Sequence, residues 1–192
     1  MQDIKNILKK ISKLKILVVG DIMLDEYIWG DIKRISQEAP IPIISVNSKS
    51  YNIGGAGNVA SNLVGLGAKV SIAGIIGQDH ESEIIYNIFK KQNIDYSMVF
   101  SLPKRQTTLK SRYLSKSQQI FRVDSEISSP LLLEEKTKLF EKIKSNINKY
   151  NAIIIQSYDK GLIDLWLLKN LLKLSKEKNI PIYVDPKRNN FF

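Results

Sequence analysis

The 192-residue sequence contains no cysteine and only one histidine, His80. The lack of cysteine excludes disulfides, thiolate metal sites and a cysteine nucleophile, and it fits a reducing compartment. One histidine cannot build a metal site that needs several imidazoles. No run approaches the roughly 18 consecutive apolar residues of a transmembrane helix, and residues 1–15 lack the apolar core of a signal peptide. We therefore expect a cytoplasmic protein with no membrane partner.

Positive charge is in excess, with a net charge of +10 at pH 7. Nearly all of the excess lies in residues 97–192, where many lysines recur at helical spacing, as they do on a solvated helix face. A site for anionic small molecules is the alternative. No basic stripe interleaved with aromatic residues is present, so we expect no nucleic-acid partner.

The composition, 43% hydrophobic and 25% charged, is that of an ordinary globular protein, and the length predicts one domain over residues 1–192. Short β-branched runs predict buried strands at 15–19, 69–76, 152–155 and 180–184. Helical periodicity separates them, at 2–13, after the glycine-rich turn through about 66, and at 79–92, 132–147 and 164–178. This alternation predicts an α/β fold with a parallel sheet.

Two further segments have extended character but do not fit the α/β rhythm. They lie within about 27–46, where Pro40 and Pro42 break the pattern, and within about 97–124. Proline is found at sheet edges and irregular strands, not in central ones. We expect these segments to pair with each other in a small accessory sheet.

A glycine-rich turn, Gly-Gly-Ala-Gly-Asn at residues 54–58, stands directly before a predicted helix. Glycines allow a ligand to approach the backbone, and a helix start offers free N–H donors, although a tight connection is the alternative explanation. Asn58, Gly67 and Gly77 follow at spacings that resemble the first signature of the ribokinase-like, or pfkB-type, carbohydrate kinases.

The resemblance covers essentially the whole chain and becomes narrower at three motifs. These are Val-Val-Gly-Asp-Ile-Met-Leu-Asp at 18–25, Arg-Ile-Ser-Gln-Glu-Ala-Pro at 34–40, and Gln-Ile-Phe-Arg-Val-Asp at 119–124. They resemble the heptose 7-phosphate kinases of ADP-heptose synthesis, which supplies the lipopolysaccharide core. The resemblance implies a parallel-sheet sandwich with helices on both faces and a small β lid. It further implies phosphate transfer from ATP with Mg²⁺ to O1 of D-glycero-D-manno-heptose 7-phosphate, and a homodimer formed through the lid.

A sugar is held by carboxylates and amides that exchange several hydrogen bonds with its hydroxyls. Asp21, Asp25 and Asn58 follow predicted strands and would converge at one edge of the sheet, beside Gly54 and Gly55. We predict that these five residues bind the sugar. Turn capping or a surface charge is the alternative for the two aspartates.

A phosphorylated sugar also needs cations. Lys110 and Arg112 lie on the same side of one predicted strand, Arg122 lies in the next, and Arg34 is a fourth candidate. Arginine can grip phosphate with two hydrogen bonds, whereas lysine acts as a point charge. We predict that these four side chains bind the phosphate. Exposed strand charges that deter edge-to-edge aggregation are the alternative.

After the last predicted strand comes Asp185-Pro186-Lys187. Similar runs in the heptose kinases lie near the phosphates and Mg²⁺ of the nucleotide, so the resemblance implies that Asp185 orients the metal's water shell and that Lys187 offsets phosphate charge. A proline that merely ends a strand is the alternative.

Two departures from the heptose kinases limit the expected activity. Ser157 stands where those kinases usually have aspartate, and strand geometry would point Asp159, two residues on, elsewhere. The family's Gly-Ala-Gly-Asp turn, whose aspartate is the general base, does not occur in the sequence and is expected beyond Phe192. We therefore expect the carboxyl-terminal part of the fold to be missing and the 192-residue chain to be inactive alone. A non-catalytic protein that binds a sugar phosphate, and a kinase for another sugar such as ribose or fructose, are the alternatives.

Overall fold

The computed structural model describes residues 2–187. Within them the helices are α1 Gln2–Ile11, α2 Ala56–Gly65, α3 His80–Lys91, α4 Leu133–Asn146 and α5 Leu165–Lys178. The strands are β1 Lys15–Gly20, β2 Ile22–Ile35, β3 Pro42–Gly55, β4 Lys69–Gly77, β5 Asp95–Leu102, β6 Thr108–Ser115, β7 Gln118–Ser125, β8 Ala152–Gln156 and β9 Ile182–Asp185. None of the helices in this part of the chain is both long and apolar enough to cross a membrane.

The central sheet has five strands in the order β5-β4-β1-β8-β9, and every neighbouring pair is parallel. Its middle strand β1 is β-branched and apolar, and Leu17, Val18 and Val19 have no exposed surface. A strand covered on both faces carries such a continuous apolar run. The predicted α/β fold with a parallel sheet is confirmed.

Helices cover both faces of this sheet. On one face Leu17 and Val19 pack in a cluster with Leu139 of α4 and Leu171 of α5. On the other face the alternate residues of β1 pack in a second cluster with residues of α2 and α3, among them Ala60 and Phe89. The layered arrangement places the carboxyl ends of the parallel strands at one open edge, where ligands bind in α/β sheets.

A second sheet of four strands, in the order β3-β2-β6-β7, forms the lid. Strand β2 pairs antiparallel with β3 and parallel with β6, and β6 pairs antiparallel with β7. The lid begins directly after β1, since β2 starts at Ile22. At this point the carbonyl of Asp21 accepts a hydrogen bond of 2.8 Å from the amide of Ala56 at the start of α2. This contact joins the root of the lid to the glycine-rich turn.

The lid strands differ from the expected segments in two ways. Strands β2 and β3 form one long ribbon whose register starts at the pair Ile22 and Gly55, so the lid begins earlier and ends later than 27–46. Residues 97–102 belong to β5 of the central sheet, because β5 pairs with β4 and buries Met98 in the core. Only the later part of 97–124 contributes to the lid.

Candidate functional site

A polar cavity with a volume of about 490 Å³ lies between the lid and the start of α2. Seven of the residues that the sequence predicts as ligands line it: Asp25, Gly54, Gly55, Asn58, Lys110, Arg112 and Arg122. Five polar residues that were not predicted as ligands also line it: Tyr27, Asn52, Ser61, Gln92 and Tyr158. The structure therefore brings predicted sugar ligands and predicted phosphate ligands into one pocket.

Strand register explains this convergence. Asp25 of β2 lies beside Asn52 of β3 and beside Lys110 of β6, and these three side chains share one face of the lid because paired residues point the same way. Two residues further along, Arg112 of β6 lies directly opposite Arg122 of β7. The inner face of the lid thus carries Asp25, Asn52 and Lys110 side by side, with Arg112 and Arg122 two residues further along their strands.

The glycines of the turn make room for these groups. A Cβ atom on Gly54 would lie 2.7 Å from Oδ2 of Asp25, which is too close for any real contact. Gly55 is the N-cap of α2 and has a φ of 57°, in the left-handed region that favours glycine. It also offers no side chain to the first-turn amides, so α2 begins without a side-chain cap beside the pocket.

Arg112 is held firmly in the pocket. Its Nη1 donates to Oδ1 of Asp25 at 2.5 Å and to the carbonyl of Lys110 at 3.3 Å. Its guanidinium lies 5.4 Å from the centre of the Tyr27 ring, within the range of a cation–π contact. Because Oδ1 of Asp25 is taken by Arg112, Oδ2 is the oxygen left to accept a ligand hydroxyl.

The other two cations share one carboxylate. Oδ2 of Asp124 accepts hydrogen bonds from Nζ of Lys110 at 2.8 Å and from Nη2 of Arg122 at 3.0 Å, and Nε of Arg122 lies 2.7 Å from Oδ1. The hydrogen bond from Lys110 lowers the pKa of Asp124, and that from Arg122 adds to the effect. Like charges placed opposite each other across strands repel, so Arg112 and Arg122 form a face that an anion would stabilise.

Asp21 does not line this pocket. It is buried, and its Oδ2 accepts hydrogen bonds from the amides of Tyr158 at 2.7 Å and of Lys160 at 3.3 Å. Burial raises the pKa of Asp21, and these amide hydrogen bonds and the charge of Arg105 oppose the rise. The geometry assigns Asp21 to holding the loop after β8, so it gives no support to the predicted contact with sugar.

Arg34 also lies outside the pocket. It is exposed near the end of β2, where its register partner is Ile43, and it is not among the residues that line the cavity. The β2–β3 ribbon is longer than the sequence analysis expected, and this length carries Arg34 beyond the pocket. Arg34 is therefore not among the residues that this cavity brings together, and its contact with phosphate stays a prediction.

Asp185 and Lys187 lie at and beyond the end of β9, outside the cavity. Oδ2 of Asp185 accepts a hydrogen bond of 2.8 Å from Nε2 of Gln156. Residues 2–187 contain no group of three or more acidic or histidine side chains that could hold a metal ion. One carboxylate already bonded to an amide does not make a Mg²⁺ site, so the described residues do not fit that ion by themselves. The expected general base, beyond Phe192, lies outside the described residues.

The structure also shows what the sequence analysis missed. Tyr27 stands two residues after Asp25 on the same face of β2. If β2 is taken as one continuous strand, this spacing predicts that Tyr27 lies in the same pocket as Asp25. Arg105 carried no such signal: it is half-buried and donates to the carbonyls of Ile127, Ser129 and Lys160. It ties the segment after β7 to the loop after β8.

The chain therefore forms an α/β domain in which helices cover both faces of a parallel sheet and a polar cavity, a candidate ligand site, lies under a β lid. The chain belongs to the pfkB family of carbohydrate kinases, whose family model matches residues 13–192.

Among curated proteins, the chain is similar to several named bifunctional protein HldE. The one from Geobacter metallireducens is 37% identical over 190 residues, which is 99% of this chain and 39% of the relative. The one from Helicobacter pylori strain Shi470 is 41% identical over 177 residues, which is 92% of this chain and 38% of the relative. The chain thus spans about two fifths of the length of these relatives.

Among solved structures, a carbohydrate kinase from Agrobacterium tumefaciens matches with a TM-score of 0.67. The match covers 89% of this chain and 53% of the other, at 18% sequence identity. At this identity the likeness shows the fold alone. It confirms the ribokinase-like architecture and is consistent with a partial fold, because the chain matches about half of that kinase.

Proposed function

We propose that this chain is the sugar-binding part of an ATP-dependent kinase that phosphorylates D-glycero-D-manno-heptose 7-phosphate at O1. The observation that carries the proposal is the set of three cations, Lys110, Arg112 and Arg122, on the same lid face as Asp25. A pocket for an unmodified sugar has no need of paired arginines. A pocket for a sugar phosphate needs both a hydroxyl-binding end and a phosphate-binding end.

The hydroxyl-binding end consists of Oδ2 of Asp25 with the amides of Asn52 and Asn58. Asp25 accepts from hydroxyls, and each amide side chain both donates and accepts. The fixed orientation of Asp25, held by Arg112 and given space by Gly54, lowers the cost of ordering the site when the sugar binds. This end therefore orients the ring.

The phosphate-binding end consists of Arg112 and Arg122 with Lys110 beside them. The two arginines would grip the 7-phosphate, and Lys110 would supply a point charge. Phosphate at C7 anchors one end of the heptose, so that O1 at the other end would point away from the lid and towards the open edge of the central sheet. The lid also excludes water from the bound sugar.

ATP is the proposed phosphate donor, and Mg²⁺ would neutralise charge on the transferred group. Asp185 ends β9 and Lys187 follows it at the same open edge of the sheet, which supports a place for them near the nucleotide. The 192 residues contain no Gly-Ala-Gly-Asp turn to supply a general base. We therefore propose that these residues alone bind the sugar phosphate without transferring phosphate to it.

The outer face of the lid supports a proposed homodimer. Tyr51, Phe121 and Val123 point away from the pocket and are each more than a third exposed. Phe121 stacks on Tyr113 with ring centres 4.5 Å apart, which makes a flat apolar patch. A second copy of the lid would bury it.

Turnover tests the proposed reaction. We expect a polypeptide extended by the downstream coding sequence to convert heptose 7-phosphate and ATP to the 1,7-bisphosphate, seen as a new phosphorus resonance. The 192-residue chain should bind the sugar phosphate and give no product. Product from the short chain would contradict the account of the missing base, and a preference for ribose or fructose 6-phosphate would overturn the substrate assignment.

A further inference from the structure

A row of alternating charges runs from the pocket to the loop after β8. Its contacts are Arg122 to Asp124 at 2.7 Å, Asp124 to Lys110 at 2.8 Å, Lys110 to Glu126 at 3.5 Å, and Glu126 to Lys160 at 2.6 Å. We call these five residues the charge row. It contains three cations and two carboxylates, so one positive charge is unbalanced, and the pocket end of the row attracts an anion.

Glu126 stands between the two lysines. Its Oε1 accepts a hydrogen bond from Lys160, whereas its Oε2 is buried and accepts no hydrogen bond from the described residues. Burial would raise the pKa of Glu126, but the hydrogen bond from Lys160 and the charges of both lysines outweigh it and lower the pKa. Glu126 is therefore ionised at neutral pH and holds Lys110 by charge alone.

Lys160 reaches this position from the core, not from the lid. It does not line the sugar pocket. The amide of Lys160 donates to Asp21, and its carbonyl accepts from Arg105, so the backbone of Lys160 is fixed on both sides. Lys110, in contrast, belongs to lid strand β6. Glu126 is the acid through which a fixed core cation acts on a cation of the lid.

Three anions face the ammonium group of Lys110 once a phosphate enters the pocket: the ligand, Asp124 at 2.8 Å and Glu126 at 3.5 Å. Of the two carboxylates, Glu126 is the one that is paired with a cation from outside the pocket, Lys160. Lys160 neutralises Glu126 and so weakens its hold on Lys110. The side chains of Lys110 and Lys160 are each only 13% exposed and that of Glu126 is 22% exposed, so water screens these charges less than it would on an open surface.

We propose that Glu126 is a positioning residue that limits the affinity of the pocket for phosphate, and that Lys160 sets the strength of this limit from outside the pocket. The inference rests on the proposed function, because it takes Lys110 as a phosphate ligand. It assigns specificity to two residues that touch no ligand.

The test is a double-mutant cycle with Glu126→Gln, Lys160→Met and the double variant, using calorimetric titration. For heptose 7-phosphate, Glu126→Gln should bind roughly fivefold tighter and Lys160→Met roughly fivefold weaker, the order expected for one partly screened charge several ångströms away. The double variant should match Glu126→Gln, because Lys160 acts only through Glu126. Heptose without phosphate should bind all four proteins equally.

A purely structural role for Glu126 would weaken the binding of both sugars, and that result would overturn the proposal. Glu126→Gln keeps the size and shape of the side chain, so it shows whether Glu126 limits the affinity for phosphate even if Lys160→Met fails to fold. The exposed pair Glu134 and Lys138 on α4, 2.7 Å apart, is the matched control. Glu134→Gln and Lys138→Met should leave both affinities unchanged.

Titration with inorganic phosphate separates this proposal from the proposed function. If phosphate follows the predicted order of variants while heptose 7-phosphate does not bind, the charge row acts as proposed and the substrate is wrong. If heptose 7-phosphate binds with the same affinity to the unmutated chain and to the Glu126 and Lys160 variants, the proposed effect of these two residues on Lys110 is wrong, and the substrate assignment is unaffected. Failure of both ligands to bind the unmutated chain contradicts both proposals.

Discussion

Gly54→Ala tests the pocket without removing any charge. The new methyl carbon would lie 2.7 Å from Oδ2 of Asp25 and 2.7 Å from Cγ of Met23. Real Cβ atoms do not approach other atoms so closely, so Asp25 has to turn away. When it turns, it withdraws Oδ2 from the pocket and breaks the 2.5 Å contact with Arg112.

The expected magnitude follows from these two losses. Overpacking a tight site costs about 1–3 kcal/mol of folding stability. A ligand hydrogen bond to a charged group contributes about 1.5–3 kcal/mol, so the affinity for heptose 7-phosphate should fall about tenfold to a hundredfold. The affinity should fall even where the variant remains folded, because the displaced carboxylate belongs to the pocket.

Gly65→Ala is the matched control. Gly65 is the last residue of α2, and a Cβ there would meet nothing within 4 Å. The change should leave binding unaltered and stabilise the fold by about 0.5–1 kcal/mol, because alanine loses less backbone entropy than glycine. Thermal unfolding and calorimetric titration of both variants measure the two effects. Normal affinity in folded Gly54→Ala would refute the assignment of Asp25 as a sugar ligand.

Three further predictions follow from single residues. Asp25→Asn should weaken sugar binding at least tenfold, whereas Asp21→Asn should weaken it less, since Asp21 lies outside the pocket; equal losses in titration would contradict this. Burial alone would raise the pKa of Glu26, but hydrogen bonds from Ser111 and Lys49 hold it below the ordinary 4.5. Ionised Glu26 thus stabilises the fold above pH 4.5, and this stability is lost as the pH falls through the lower folded pKa. In denaturant titrations at several pH values, Glu26→Gln should therefore show a smaller loss of unfolding free energy at acid pH than the unmutated chain. Phe121→Lys should yield monomers in analytical ultracentrifugation, and an unchanged dimer would exclude the lid interface.

The central sheet could be predicted from the sequence because its strands are buried on both faces. Their β-branched runs, such as 15–19, have no other common explanation in an α/β protein. The lid could not be predicted as well, since both of its faces mix polar and apolar residues. Glu26, for example, is buried on the outer face under hydrogen bonds from Ser111, Lys49 and Tyr51.

Sequence reasoning found most of the pocket but could not separate Asp21 from Asp25. Both aspartates follow β1 in the same motif, and either residue type suits a sugar hydroxyl. The side chain of Asp21 accepts a hydrogen bond from the amide of Tyr158, which lies 137 residues further along the chain. A contact of that range depends on the packing of β8 beside β1, and no local pattern reveals it.

The most direct test of the central claim compares heptose 7-phosphate with heptose in calorimetric titrations of the unmutated chain. If Lys110, Arg112 and Arg122 form a phosphate site beside Asp25, the phosphate ester should bind at least tenfold more tightly, because charge-assisted hydrogen bonds contribute about 1.5–3 kcal/mol each. Raising the salt concentration should narrow this difference. Equal affinity for the two sugars would contradict a sugar-phosphate site under the lid.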